Sequence, residues 1–195
     1  MEKRLITAMT SEPVSLDDIR LHLRLTDDTT EDPLLTSLLE RARLYCEMHT
    51  GRAFGTQTWE AYLNFWPGRN YIDLPMPPLQ SVTSVKYVDY AAAETTMTLT
   101  TQYLVDDTSD IGRIVLPYGR TWPSFTGYPI NPIRIRYVAG YSALPEPLKQ
   151  AILLIAGNWY ENREHAVDVV GGKLESIPFS ALSLMAQYKV RWWDS

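Results

Sequence analysis

A change of hydrophobic period, made twice, constrains this chain more than any other feature of it. From about residue 16 to residue 50 apolar side chains recur at helical spacing; from 56 to 142 they alternate or gather in short β-rich runs; after 145 the helical spacing returns. A helix-period segment does not settle as a strand, nor a strand-period segment as a helix. The expected fold class is therefore α+β: a helical bundle formed by the N- and C-terminal helices, with an inserted antiparallel β block. The chain reads as a single domain, 1–195, whose helical part (12–55 plus 143–190) is discontinuous and whose β insertion spans 56–142.

Local signals place the elements. Ser15-Leu16-Asp17-Asp18 opens a first helix, with Ser15 as cap and Asp18 at the reciprocal position of a capping box; the helix ends near Leu25. Asp32-Pro33 opens a second, with Asp32 as the expected cap and proline at the first helical position. Leu34, Leu35, Leu38, Leu39, Ala42, Tyr45, Cys46 and Met48 then follow the spacing of an amphipathic helix, and Gly51 ends it. Cys46 is the only cysteine, so no intrachain disulfide can form, and its place on the stripe marks it as a core residue. In the middle region, strands are expected around residues 58–65, 71–74, 82–90, 95–100, 103–105, 113–116 and 133–138, kept short by intervening prolines and joined in one small sheet. A helix returns at Pro145-Glu146-Pro147 and runs to about Glu164. A loop follows at 165–178, made mobile by Gly171 and Gly172, and expected to order on docking. A last helix spans Phe179 to Tyr188.

Composition narrows the function. The formal net charge is −5, and no run of Lys and Arg forms a stripe. Gripping DNA takes clustered cations that displace counterions, so a DNA-binding regulator is not expected. The N-terminus lacks the apolar run of a secretory signal, and the longest apolar stretch, Ala151 to Gly157, is too short to cross a bilayer, so no membrane role is expected.

No catalytic constellation stands out. His22, His49 and His165 have no second ligand at metal-like spacing, and no nucleophile elbow or phosphate loop occurs. Asp106, Asp107 and Asp110 form a weak cation-site candidate, and the preferred reading of them is a solvated Asp/Ser turn. No cofactor is expected. The aromatics are more informative. Trp122, Phe125 and Tyr128 fall in a Pro/Gly-rich loop between strands, and Trp192 and Trp193 close the chain. Large aromatics on loops and termini are candidate interface anchors, although Trp122 can also plug one end of the β block and the final pair can fold back. Gly171 and Gly172 join them as interface candidates through the loop they loosen.

The order of several segments carries a family resemblance. Val14-Ser15-Leu16-Asp17-Asp18 is followed by Tyr45-Cys46-Glu47-Met48-His49-Thr50-Gly51-Arg52, then Leu74-Pro75-Met76-Pro77-Pro78-Leu79-Gln80-Ser81-Val82, Gly112-Arg113-Ile114, Trp122-Pro123, Tyr137-Val138-Ala139-Gly140-Tyr141 and Trp159-Tyr160-Glu161-Asn162. No one of these is specific, but together, from about residue 10 to 190, they resemble the head–tail connector, or head-completion adaptor, proteins of tailed bacteriophages. The resemblance implies a structural virion protein and not an enzyme. It implies a head-to-tail ring of about twelve copies below the portal, made in the host cytoplasm and carried in the neck of the virion. Its partners would be itself, the portal protein and the next neck or tail-completion protein. DNA would pass through an acidic or neutral channel without specific binding. Two readings from other classes compete: a virion-associated carbohydrate-binding module using exposed aromatics of the β block, and a hydrolase using a metal at the aspartates.

Overall fold

In a computed structural model the structure describes residues 1–25, 29–162 and 177–191. Four helices and eight strands follow one another as β1 (Glu2–Thr7), α1 (Leu16–Leu23), α2 (Asp32–Thr50), β2 (Gln57–Leu63), β3 (Tyr71–Asp73), β4 (Leu79–Val88), β5 (Glu94–Thr96), β6 (Leu104–Asp106), β7 (Arg113–Val115), β8 (Ile133–Ala139), α3 (Glu146–Glu161) and α4 (Phe179–Ala186). The class is α+β, as the double change of period requires. Two compact units result: a helical unit of residues 10–54 and 143–195, and a β unit of residues 1–9 and 55–142.

In the helical unit the caps match the local chemistry. The Ser15 hydroxyl accepts from the Asp18 N–H at 3.1 Å, and the Asp18 carboxylate accepts from the Ser15 N–H at 3.0 Å, which completes the capping box. Hydrogen bonds from Ser15 hold the Asp18 carboxyl below its ordinary value. Asp32 does not cap α2. Glu31 occupies that position, and Asp32, already helical, takes the Arg20 guanidinium through both its oxygens. A bidentate ion pair outcompetes a backbone cap for the same carboxylate. Gly51 ends α2 with φ 73°, a conformation that costs glycine nothing.

Helices α2, α3, α4 and α1 bury a shared core whose centre is Leu35, Cys46, Leu148, Ile152, Ile155 and Met185. Burying each such side chain contributes roughly 1.5–3 kcal/mol. Burial pushes the Cys46 thiol up to about 12. Alkylation of Cys46 by iodoacetamide at pH 8 is therefore expected to run at least about a hundredfold slower in the folded protein than in urea. Mass spectrometry of a timed labelling reaction checks this, and equal rates would remove Cys46 from the core.

A denser polar network ties the same unit together. Arg43 is buried; its Nε donates to Glu12 at 2.8 Å and its Nη1 to Glu47 at 2.9 Å. The other oxygen of Glu47 accepts the Phe54 N–H at 2.8 Å. Beyond the end of α2, Arg52 Nε donates to the Tyr188 carbonyl and the Val190 N–H donates to the Thr50 carbonyl.

The β unit holds two sheets where one was expected. A five-stranded antiparallel sheet has the order β1-β2-β8-β4-β5, and a three-stranded one the order β3-β7-β6. The short strands β3, β6 and β7 pair among themselves, and Ile72, Leu74 and Ile114 face a common core with Ile133, Ile135 and Tyr137. Along β8 burial alternates strictly at first: Ile133, Ile135 and Tyr137 are buried, Arg134 and Arg136 exposed. The Tyr137 hydroxyl donates to the Pro75 carbonyl at 2.9 Å, and burial pushes its phenol well above the usual range. Strand β1 is an element that local pattern did not announce: Glu2, Lys3 and Arg4 are poor strand formers, and pairing with β2 imposes the conformation.

Gly112 marks a close backbone approach. A Cβ there would lie 2.1 Å from Leu79 Cβ, and the Gly112 carbonyl also accepts the Leu74 N–H. Gly112→Ala is expected to cost about 1–3 kcal/mol by overpacking. The urea midpoint reads it; an unchanged midpoint would mean that Leu79 moves aside freely.

Two expected features, the loop at 165–178 with Gly171 and Gly172 and the closing pair Trp192 and Trp193, fall largely or wholly outside the described residues.

Candidate functional site

Strand register brings three loops to one end of the β unit. Leu63 at the end of β2 and Tyr87 near the end of β4 both lie opposite Ile133, the first residue of β8. The segments after β2, after β4 and before β8 must therefore emerge together. They are stitched by main-chain bonds: Tyr90 N–H to the Thr126 carbonyl (2.9 Å), Tyr128 N–H to Val88 (3.0 Å) and Val88 N–H to Pro132 (2.8 Å). The Asn64 side-chain carbonyl accepts the Asn131 N–H at 3.1 Å. Asp89 accepts from the N–H groups of Ala91 and Ala93, which shapes the β4–β5 turn.

Beneath this end lies an aromatic box. Trp66 and Trp122 stack with centroids 4.8 Å apart and planes 4° from parallel, and Phe125 lies 4.8 Å from Tyr87. The Trp122 indole N–H donates to the Arg69 carbonyl at 2.8 Å. Trp122 and Phe125 are thus half-buried and turned onto the core, where they hold the loops in place.

Above the box the side chains point outward. Phe65 is 83% exposed, Tyr90 74%, Ile130 70% and Tyr128 45%. Residues 64–68, 90–93 and 121–132 contain no charged side chain. A protein surface usually scatters single apolar residues; four on adjoining stretches without charge, in three loops, form a patch of the kind that marks interaction sites. Of the aromatics singled out from sequence, Tyr128 belongs to this patch, and Trp122 and Phe125 form its foundation. Phe65, Tyr90 and Ile130 were missed. The signal for them was a charge-free stretch in each of the three loops, which matters only when the loops are known to meet.

The aspartates behave as a turn. Asp106 accepts from Ser109 Oγ (2.7 Å), Thr108 Oγ1 (2.9 Å) and Arg113 Nε (2.9 Å). Those bonds, Ser109 first, hold its carboxyl far below the usual range. Both Asp106 oxygens are engaged by the turn and by Arg113, and no group of three His, Cys, Asp or Glu in a metal-binding arrangement occurs among the described residues, so Asp107 and Asp110 are not brought into one site with it. No helix among the described residues is long and apolar enough to cross a membrane.

The profile of the phage gp6-like head–tail connector proteins matches residues 13–118 and 123–189. Among solved structures, a chain of the neck of an empty gene transfer agent particle, determined with C6 symmetry, superposes with a TM-score of 0.80 at 27% identity, covering 100% of this chain and 99% of that one. A chain of the native gene transfer agent virion gives a TM-score of 0.78 at 26% identity, again covering 100% and 99%. A chain of the native particle's neck, determined with C12 symmetry, shares the fold at 24% identity and a TM-score of 0.76. No curated protein matches in sequence. The carbohydrate-binding alternative finds no support in these likenesses.

Proposed function

We propose, from the premise that this chain belongs to the phage gp6-like head–tail connector family, that it is a ring-forming subunit of a virion neck. The family's role is structural: its members join head to tail. One observation carries the ring and the location, namely that the whole chain superposes on nearly the whole of a chain from a symmetric particle neck. A rotationally symmetric neck repeats each subunit around an axis, and a head-to-tail contact closes into a ring of about a dozen. Above the ring would lie the portal protein and below it the next neck or tail-completion protein, with DNA passing between. An acidic subunit, net charge −5, suits a conduit that repels phosphate. The subunit is made in the host cytoplasm, carries no enzymatic activity and needs no cofactor.

The exposed patch of Phe65, Tyr90, Tyr128 and Ile130 is proposed as a contact with a neighbouring neck component, with Trp122 and Phe125 as its rigid support. Gly171, Gly172, Trp192 and Trp193 stay proposed as further contact residues. Particles assembled without this chain test the role. Filled heads and separate tails are expected, visible by negative-stain electron microscopy and rescued by supplying the chain. Normally tailed particles in its absence would overturn the role.

A further inference from the structure

The five-stranded sheet has two open edges, β1 on one side and β5 on the other. An edge strand presents backbone N–H and C=O groups that template pairing with another strand, and soluble proteins usually blunt long edges with proline, brevity or a bulge that twists them away. β1 is six residues long, contains no proline and is exposed along its whole length. Its one irregularity lies at its far end, between Leu5 and Thr7. β5 is short, and each of its three residues is exposed.

The two edges are unlike in charge. Arg4 lies opposite Glu60, on the face where β8 carries the exposed Arg134 and Arg136. Glu60 is already ion-paired with Arg136 at 2.9 Å, and Arg4 has no carboxylate partner among the described residues. At the other edge the sheet ends in Glu94, 41% exposed and bonded at 2.6 Å to Lys86, which lies opposite Arg134 and so shares that face. On β1 the two cations Lys3 and Arg4 outweigh Glu2, whereas β5 carries one charged residue, Glu94, a carboxylate already bonded to Lys86; the first edge is net positive and the second negative.

We propose that the β1 edge of one copy pairs with the β5 edge of the next, so that the sheet continues from subunit to subunit around the connector ring, with Arg4 of one copy beside Glu94 of its neighbour. The proposal rests on the ring reading above. Unlike, complementary edges on opposite sides of one body give a head-to-tail contact, which is the kind that closes a ring. Main-chain pairing supplies the adhesion, as in other strand additions, and the charges set which edge meets which.

The double variant Arg4→Cys/Glu94→Cys tests this in assembled particles. The two edges are four strand spacings apart, roughly 19 Å at about 4.8 Å each. A disulfide spans at most about 7 Å between Cα atoms. Cys46 is buried. Any disulfide between the new thiols therefore joins two copies. Mild oxidation of particles is expected to give a ladder of covalent multimers on a non-reducing gel, and neither single variant is expected to give one. Particles that contain the chain but yield no ladder would overturn the strand pairing and leave the connector role standing; dimers from Arg4→Cys alone would overturn it in favour of a two-fold contact. Unmodified particles lacking the chain would overturn the connector role itself. In a second measurement, Arg4→Glu is expected to lower incorporation into particles about tenfold, and Arg4→Glu/Glu94→Arg to restore it. Incorporation unchanged by Arg4→Glu would count against the pairing.

Discussion

Arg43→Ala is expected to destabilise the helical unit by about 3–5 kcal/mol. The reason is what the substitution leaves behind. Glu47 is 7% exposed in its side chain and accepts from both Arg43 and the Phe54 N–H. Without the guanidinium it is a buried carboxylate that has lost its 2.9 Å ion pair with Arg43. Glu12, 28% exposed, loses its partner too but can turn to water. Total stabilities run near 5–15 kcal/mol, so such a loss is a large share of the whole. For a chain of this size it lowers Tm by roughly 10 °C. Circular dichroism melts of Arg43→Ala and Glu47→Gln separate the contributions. Glu47→Gln keeps an acceptor for Phe54 and removes the charge, so it is expected to cost less than Glu47→Ala. A loss below about 1 kcal/mol for Arg43→Ala would show that water reaches Glu47 and that the network is a surface pair in effect.

The triple variant Phe65→Ser/Tyr90→Ser/Ile130→Ser is expected to fold as well as the wild type and to fail in joining heads to tails, with the yield of complete particles down about a hundredfold or more. All three side chains are more than two-thirds exposed, so trimming them removes little from the core. Interface anchors contribute about 2 kcal/mol or more each, roughly thirtyfold in affinity, and three of them in one patch leave a contact too weak to hold. Trp122→Ala makes the opposite comparison. Trp122 stacks on Trp66 and holds the Arg69 carbonyl, so its loss should appear first as lowered thermal stability and only then as lost joining. Melting curves and counts of tailed particles on the same set of variants settle the matter. A triple variant that assembles at wild-type yield would show that the patch faces solvent in the finished neck.

The two results would also divide the β-unit aromatics by task. Three aromatics, with Ile130, look outward and four pack beneath them, and Tyr and Phe occur in both sets. Only the direction taken by each loop separates them.

Near neighbours along the chain dictate much of the local structure. The capping box at Ser15 and Asp18, the buried stripe of α2 with its stop at Gly51, the alternation along β8 and the burial of Cys46 all follow from spacings of two to four residues, which the chain carries whatever the rest does. The α+β class follows from the same periods. Tertiary structure alone decided the recruitment of Glu2–Thr7 as an edge strand, the division of the strands between two sheets, the pairing of Asp32 with Arg20, and the gathering of Phe65, Tyr90, Tyr128 and Ile130 at one end. Each of these joins residues a dozen to many tens of positions apart. Strand pairing has no local period that names its partner: β2 meets β1 and β8 across about 50 and 70 intervening residues, and nothing in Gln57–Leu63 specifies either. A side chain in a loop has no period at all, so whether it becomes core or contact surface is set by the strands that carry it.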